Sequence, residues 1–363
     1  MMRIAIDVMG GDRGPSVVVE GAVLAAREYD IEIALVGQRE AVEREIAHHS
    51  IQSLSIQLVP ASQTVAMDET PTSTLRKKDS SMRVAFDMMK KGEVCAVVSA
   101  GNSGAMLATG MFVMRTLPRV DRPAILVVIP SSKGGTVLID AGANTDCRSH
   151  HLVQFGLMGS VYSERVLGLS CPRVGILSNG EEEGKGTERT REASEQIRSS
   201  GVNCIGYVEG RDITNGRVDV VVCDGFTGNI SLKSMEGLAG FIMNIFQEAF
   251  RQSILSRLGY LLCRRSLRNA YRRLDYAEYG GAPLMGLDGV AIVAHGGSSP
   301  KAIKNAIRVA KETVSQDVNR HIVDMMEGLK KGDGDRKEPI AMPNLVTDNV
   351  QSLFLGQENP NKK

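Results

Sequence analysis

The 363-residue chain has no tryptophan, and aromatic residues make up only 4% of it. A core with so few rings has to be aliphatic, which suits Val-, Ile-, Leu- and Ala-rich strands buried on both faces. Excess charge is also missing: 43 Lys and Arg balance 42 Asp and Glu, for a formal net charge of +1. That balance leaves no global electrostatic footprint for nucleic acid, and none is expected as a partner. No apolar run approaches the roughly 18 residues that span a bilayer, so an integral membrane protein is not expected. The first seven residues hold too short an apolar stretch for a signal peptide and read as a first strand. None of the six cysteines is in CxxC spacing, and Cys95, Cys204 and Cys223 lie in or beside apolar runs. This pattern points to free thiols and a reducing cytoplasm.

Several chemical signatures are missing too. There is no HExxH, GxSxG or clustered set of metal ligands, and His48-His49 and His150-His151 are adjacent pairs whose side chains should diverge on a helix. A Walker A loop fails because Lys185 is followed by Gly186 and Asn179 stands where the first glycine belongs. Glu181-Glu182-Glu183 would also repel a polyphosphate. No GxGxxG follows the first strand, so the dinucleotide fingerprint is missing. A single small oxyanion fits better than a nucleotide.

What is present is an alternation of short β-rich runs and amphipathic stretches. Strands are expected at 3–8, 31–36, 55–59, 94–98, 124–129, 136–140, 174–177, 202–208 and 218–223, with a further apolar run at 290–294. Helical patterns fill 17–29, 40–49, 82–91, 103–116, 151–163 and 188–200. This order predicts an α/β fold with a mostly parallel sheet. Ser131-Ser132-Lys133-Gly134-Gly135, between two apolar runs, predicts an antiparallel hairpin inside it. Residues 1–330 read as a single catalytic unit, and 331–363 as a polar tail.

Glycine and small polar residues gather after the strands: Gly10-Gly11-Asp12, Ser99-Ala100-Gly101-Asn102-Ser103-Gly104, Asp140-Ala141-Gly142-Ala143-Asn144, Ser178-Asn179-Gly180, Asp224-Gly225-Phe226-Thr227-Gly228-Asn229 and His295-Gly296-Gly297-Ser298-Ser299. Ligands of open α/β sheets bind outside strand carboxyl ends, and glycine lets backbone N–H groups approach an anion. Six such loops on one rim would suit a small oxyanion such as phosphate. Gly184-Lys185-Gly186-Thr187 adds an ammonium inside a turn before a helix. Candidate binding residues are Asp7, Gly10, Gly11, Asn102, Ser103, Asn144, Asn179, Gly186, Gly228, His295, Gly296 and Gly297. Acyl transfer to phosphate needs no protein nucleophile, because phosphate carries its own. It needs cations for phosphate and donors for the carbonyl oxyanion. Lys185 and Asn229 are the candidate catalytic pair.

Ile4-Ala5-Ile6-Asp7-Val8-Met9-Gly10-Gly11-Asp12, the loop at 99–104, Leu177-Ser178-Asn179-Gly180-Glu181-Glu182, Gly184-Lys185-Gly186 and the loops at 224–229 and 295–299 resemble the PlsX family in order, from about residue 3 to 328, and the resemblance implies no metal or nucleotide cofactor. The resemblance implies a three-layer α/β/α, Rossmann-like fold related to isopropylmalate dehydrogenases and phosphotransacetylases. It implies a phosphate acyltransferase that converts long-chain acyl-acyl carrier protein and inorganic phosphate to acyl phosphate for phosphatidic acid synthesis. It further implies a cytoplasmic homodimer, peripheral at the inner face of the cell membrane, whose product passes to a membrane glycerol-3-phosphate acyltransferase. The catalytic positions proposed for the family match Lys185 and Asn229.

A basic amphipathic helical segment is expected at 241–275. Ile254, Leu258, Leu261 and Leu262 form one stripe, and Arg264, Arg265 and Arg268 are among seven arginines in 249–274, which has no acidic residue. Its candidate contacts are an anionic membrane surface, acidic acyl carrier protein or a second subunit.

Overall fold

The computed structural model describes residues 1–274 and 276–328; the tail expected at 331–363 lies outside the described residues. The chain opens with β1 (Arg3–Asp7), α1 (Pro15–Glu28), β2 (Glu32–Gly37), α2 (Arg39–Ile46) and β3 (Ile56–Pro60). Next come α3 (Pro71–Thr74), α4 (Ser81–Lys90), β4 (Ala96–Ser99) and α5 (Ser103–Val113). The middle contains β5 (Ala124–Ser131), β6 (Gly134–Ile139), α6 (Ser149–Arg165), β7 (Val174–Leu177), α7 (Glu188–Arg198), β8 (Cys204–Val208), α8 (Asp212–Asn215) and β9 (Val220–Val222). It continues with α9 (Gly225–Arg251), α10 (Ile254–Leu274), α11 (Tyr276–Tyr279), β10 (Ala282–Met285), β11 (Val290–Val293), α12 (Pro300–Ser315) and α13 (Val318–Gly328).

One sheet joins the strands in the order β3-β2-β1-β4-β11-β10-β5-β6-β9-β7-β8. The first five in that order are mutually parallel. β10 is antiparallel to both β11 and β5. β5 and β6 form the expected hairpin, with Ser131 opposite Gly134 across the Ser132-Lys133 turn. β6, β9, β7 and β8 are again mutually parallel. Three reversals therefore separate two parallel half-sheets, so the second runs opposite in sense to the first.

Aliphatic strands buried on both faces explain the three layers. In the first half, Ile4, Ile6, Ile33 and Leu35 pack under α1 and α12, while Ala5, Val36 and Val97 meet Phe86 and Met106 of α4 and α5 on the other face. In the second, Val137, Ile139, Val174 and Val222 pack with Phe155 and Met158 of α6, and Leu138 and Val221 lie with Ile213 of α8 on the reverse side.

The segment expected to be helical at 241–275 is helical through Leu274 but not in one piece. It is the end of α9 followed by α10, with a break at Gln252 and Ser253. Ser253 starts the second helix by accepting from the Ser256 N–H at 3.0 Å, the capping geometry that serine favours.

Candidate functional site

The six loops do not share one rim. The loops after β1, β4 and β11 share one edge because those strands are adjacent and parallel. The loops after β6, β9 and β7 share another edge on strands of opposite sense. The hairpin and β10 cause the split, since each antiparallel step exchanges carboxyl and amino ends.

In the first trio, Asp7 lies beneath the loops, 2% exposed. It accepts from Ser81 Oγ at 2.6 Å, Ser99 Oγ at 2.7 Å and the Met9 N–H at 3.2 Å. Gly10 lies against the Gly101 backbone and Gly11 against the Gly296 carbonyl, which also accepts from the Asp12 N–H at 2.9 Å. Asn102 caps α5 by accepting from the Ala105 N–H at 2.9 Å, while its amide donates to the carbonyls of Met67 and Glu69 at 2.8 and 3.1 Å. Both ends of that side chain are therefore engaged, one capping α5 and the other holding the loop before α3. Ser103 is exposed at the first turn of α5, and exposed His295 accepts from the Gly297 N–H through Nδ1 at 3.0 Å.

Burial pushes the Asp7 carboxyl above its ordinary 3.8, while the Ser81, Ser99 and backbone hydrogen bonds pull it back. A carboxyl raised on folding contributes its full stability below the unfolded value and loses it as pH rises through the folded value. Thermal melts from pH 4 to 7 should therefore show wild type losing stability relative to Asp7→Asn as pH rises. A constant gap between the two would show that burial does not govern this carboxyl.

The second trio is built around Asp140, a fully buried residue that the sequence reading left out of its candidate residues. Its carboxylate accepts from the N–H groups of Ile125, Gly142, Ala143 and Asn144 at 2.7–3.1 Å and from the Asn144 amide at 2.9 Å. An aspartate at a strand end followed by Ala-Gly-Ala-Asn was the available signal, because such side chains bond the backbone just ahead of them. The N–H groups of 142–144 thus turn inward to Asp140. Asp224 caps α9, accepting from the Thr227 N–H at 2.8 Å, and Gly225 N–H donates to the Asn144 carbonyl at 2.7 Å. A Cβ on Gly228 would stand 1.9 Å from the Asp140 carbonyl oxygen, so only glycine allows this approach. Asn229, one residue on, is exposed, with its side chain over Gly142.

Lys185 is exposed in the turn before α7, its alkyl chain against Gly180. Among the described residues its ammonium has no ion-pair partner. Asn179 Oδ1 accepts from the Gly186 N–H at 3.0 Å, and Gly186 has φ 78, a left-handed conformation suited to glycine. Thr187 caps the helix through the Thr190 N–H. Two of the three acids beside Lys185 have cationic neighbours: Glu181 pairs with Arg211 and Arg217, and Glu183 lies 3.7 Å from Arg198.

Cys147 and Cys223 are buried beside these loops. Burial, helped by Asp140 and Asp224, pushes Cys147 up to about 11 and Cys223 well above its usual value, so neither is primed as a thiolate. Contrary to the expected divergence, His150 and His151 have ring centroids 4.1 Å apart, and with Asp121 they bring ligand atoms within 4.8 Å. The set is poorly suited to a cation. His151 Nδ1 accepts from the Arg148 N–H, which leaves its proton on Nε2, and Arg122 and Arg148 act on the same ring.

On α10, Ile254, Leu258, Leu261 and Leu262 are exposed, as are Arg264 and Arg265. The Arg268 side chain lies outside the described residues. No helix among the described residues is long and apolar enough to cross a membrane.

The fold resembles a phosphotransacetylase from Streptococcus pyogenes, with TM-score 0.59 and 16% identity over 86% of this chain and 94% of that one. It also resembles the EutD phosphotransacetylase from Staphylococcus aureus, with TM-score 0.53 and 14% identity over 90% and 94%. Sequence similarity is much higher to two proteins named phosphate acyltransferase. One, from Geobacter sulfurreducens, is 53% identical over 90% of this chain and 94% of its own. The other, from Geobacter sp. strain M21, is 50% identical over 97% and 100%. Residues 2–321 match the model of the fatty acid synthesis protein family. The chain therefore belongs to that family, the PlsX phosphate acyltransferases, and is an enzyme of lipid synthesis.

Proposed function

We propose that the enzyme transfers a long-chain acyl group from acyl carrier protein to inorganic phosphate, supplying acyl phosphate for phosphatidic acid synthesis. The observation that carries this reading is the adjacency of β6, β9 and β7, whose ends carry Asn144, Asn229 and Lys185 to one edge of the sheet. In the proposed step a phosphate oxygen attacks the thioester carbonyl carbon and the carbon–sulfur bond breaks. The proton from phosphate ends on the departing thiolate, giving acyl phosphate and free carrier thiol. Lys185 holds the phosphate and offsets its charge, and the Asn229 amide donates to the developing oxyanion. Asn179 and Gly186 shape the lysine turn, while Gly10, Gly11, Asn102, Ser103, His295, Gly296 and Gly297 border the first-half edge.

The exposed leucines and arginines of α10 fit a peripheral contact with an anionic membrane surface. There the apolar product would pass to a membrane glycerol-3-phosphate acyltransferase, and a homodimer completes the proposed assembly. The test is acyl phosphate formation from palmitoyl-acyl carrier protein and phosphate, followed by trapping with hydroxylamine. Product from this pair and little from acetyl-coenzyme A is expected. The reverse preference would make the enzyme a short-chain phosphotransacetylase.

A further inference from the structure

Three exposed arginines from separate parts of the chain gather at the loop after β6. Arg122 Nη1 donates to the Asp146 carbonyl at 2.8 Å. Arg189 Nη1, from the first turn of α7, donates to Asp146 Oδ1 at 2.8 Å and to the Cys147 carbonyl at 2.9 Å. Arg148 precedes α6, and both it and Arg122 are near enough to His151 to disfavour its protonation. The acids among them are Asp146, Asp121, which His150 approaches to 3.3 Å, and Glu188 at the start of α7. Lys185 and Arg191 add positive charge on the α7 side, with Arg191 bonded to the Gly186 carbonyl.

This patch borders the candidate site on two sides. Arg189 lies four residues after Lys185, and Asp146 two residues after Asn144, whose carbonyl receives the Gly225 N–H at the start of α9. Phe226, 60% exposed and next in sequence, offers an apolar anchor beside the charges. The Arg189–Asp146 pair is solvent-exposed, 57% and 92%, so exchanging Asp146 for an incoming carboxylate costs little. A donor tethered to a protein has to dock within reach of the site. The arginines of α10, by contrast, lie among exposed leucines, a surface suited to lipid.

We propose that the acidic carrier docks on Arg122, Arg148 and Arg189, with α10 left for the membrane. This rests on the carrier being the acyl donor, as proposed above. Complementary charge of this kind acts mainly on association rate and is weakened by salt.

The test compares Arg122→Glu, Arg148→Glu and their double variant with wild type, using palmitoyl-acyl carrier protein and palmitoyl-pantetheine as donors. The double variant should lower kcat/KM for the carrier donor relative to the free thioester by about tenfold or more at low salt. The deficit should shrink as salt rises, and Arg264→Glu with Arg265→Glu should leave the ratio unchanged. Equal losses on both donors, or a ratio that moves only in the α10 variant, would overturn the docking site. A wild type active on the carrier donor with an unaffected double variant would do the same while leaving the proposed reaction intact. A wild type active only on free or coenzyme A thioesters would defeat donor and docking site together.

Discussion

Lys185→Ala is expected to lower kcat for acyl phosphate formation by about 10²–10³-fold, the usual loss when one aimed electrostatic group is removed from a transition state. KM for phosphate should rise as well, because the same ammonium meets the phosphate before reaction. The variant should fold normally. Lys185 is exposed, its ammonium has no ion-pair partner among the described residues, and the turn is held by Asn179, Gly186 and Thr187. Circular dichroism and a thermal melt alongside the assay check that point. Lys185→Arg should recover only part of the rate, since a planar guanidinium does not reproduce a compact ammonium in a turn. Activity undiminished in a folded Lys185→Ala protein would remove this residue from the mechanism.

Gly228→Ala should be nearly as damaging, by a different route. The new methyl would stand 1.9 Å from the Asp140 carbonyl oxygen and 3.0 Å from Cys223 Sγ. The nearer obstacle is backbone, so it cannot be relieved by turning a side chain. The first turn of α9 has to lift by about 1 Å, taking Asn229 with it, and a displacement of that size can cost about 10²-fold in rate. A lower melting temperature should accompany the loss. Gly237→Ala on the same helix is the control: nothing lies within 4 Å of its would-be Cβ, and the exchange should stabilise the helix by about 0.5–1 kcal/mol. Similar behaviour of the two variants would mean that close packing under Asn229 does not matter.

The sequence was informative where local chemistry decides structure. Nearly every expected strand is present within a residue or two, and Ser132-Lys133 makes the hairpin turn anticipated between two apolar runs. Thr187 and Ser299 cap the helices they precede, as such residues do. What stayed hidden depends on distant pairing. β10 begins Ala282-Pro283, and proline argues against an inner strand. It is tolerated because Ala282 and Pro283 pair only with β11, while Leu284 and Met285 pair only with β5. That short bridging strand, together with the hairpin, reverses the second half-sheet, so loops alike in composition end on two edges. Asp140 was half legible: its bonds to the N–H groups of 142–144 follow from local sequence, while the one from Ile125, fifteen residues upstream on a neighbouring strand, does not.

The position of β11 beside β4 also bears on synthesis. About 190 residues separate the two strands in the chain, and the whole second half-sheet is made between them. At about 5–20 residues per second a ribosome needs roughly 10–40 s to cover that distance. During that time the apolar side of β1 and β4 is without α12, whose Ile303 and Ile307 complete its core. Neither half closes before the chain is nearly finished, because α13, which follows α12, supplies Val318, Ile322 and Met326 to the core of the second half. An unfinished chain that stalls near β10 would leave apolar surface open in both halves, an aggregation-prone intermediate of the kind that chaperones are there to cover.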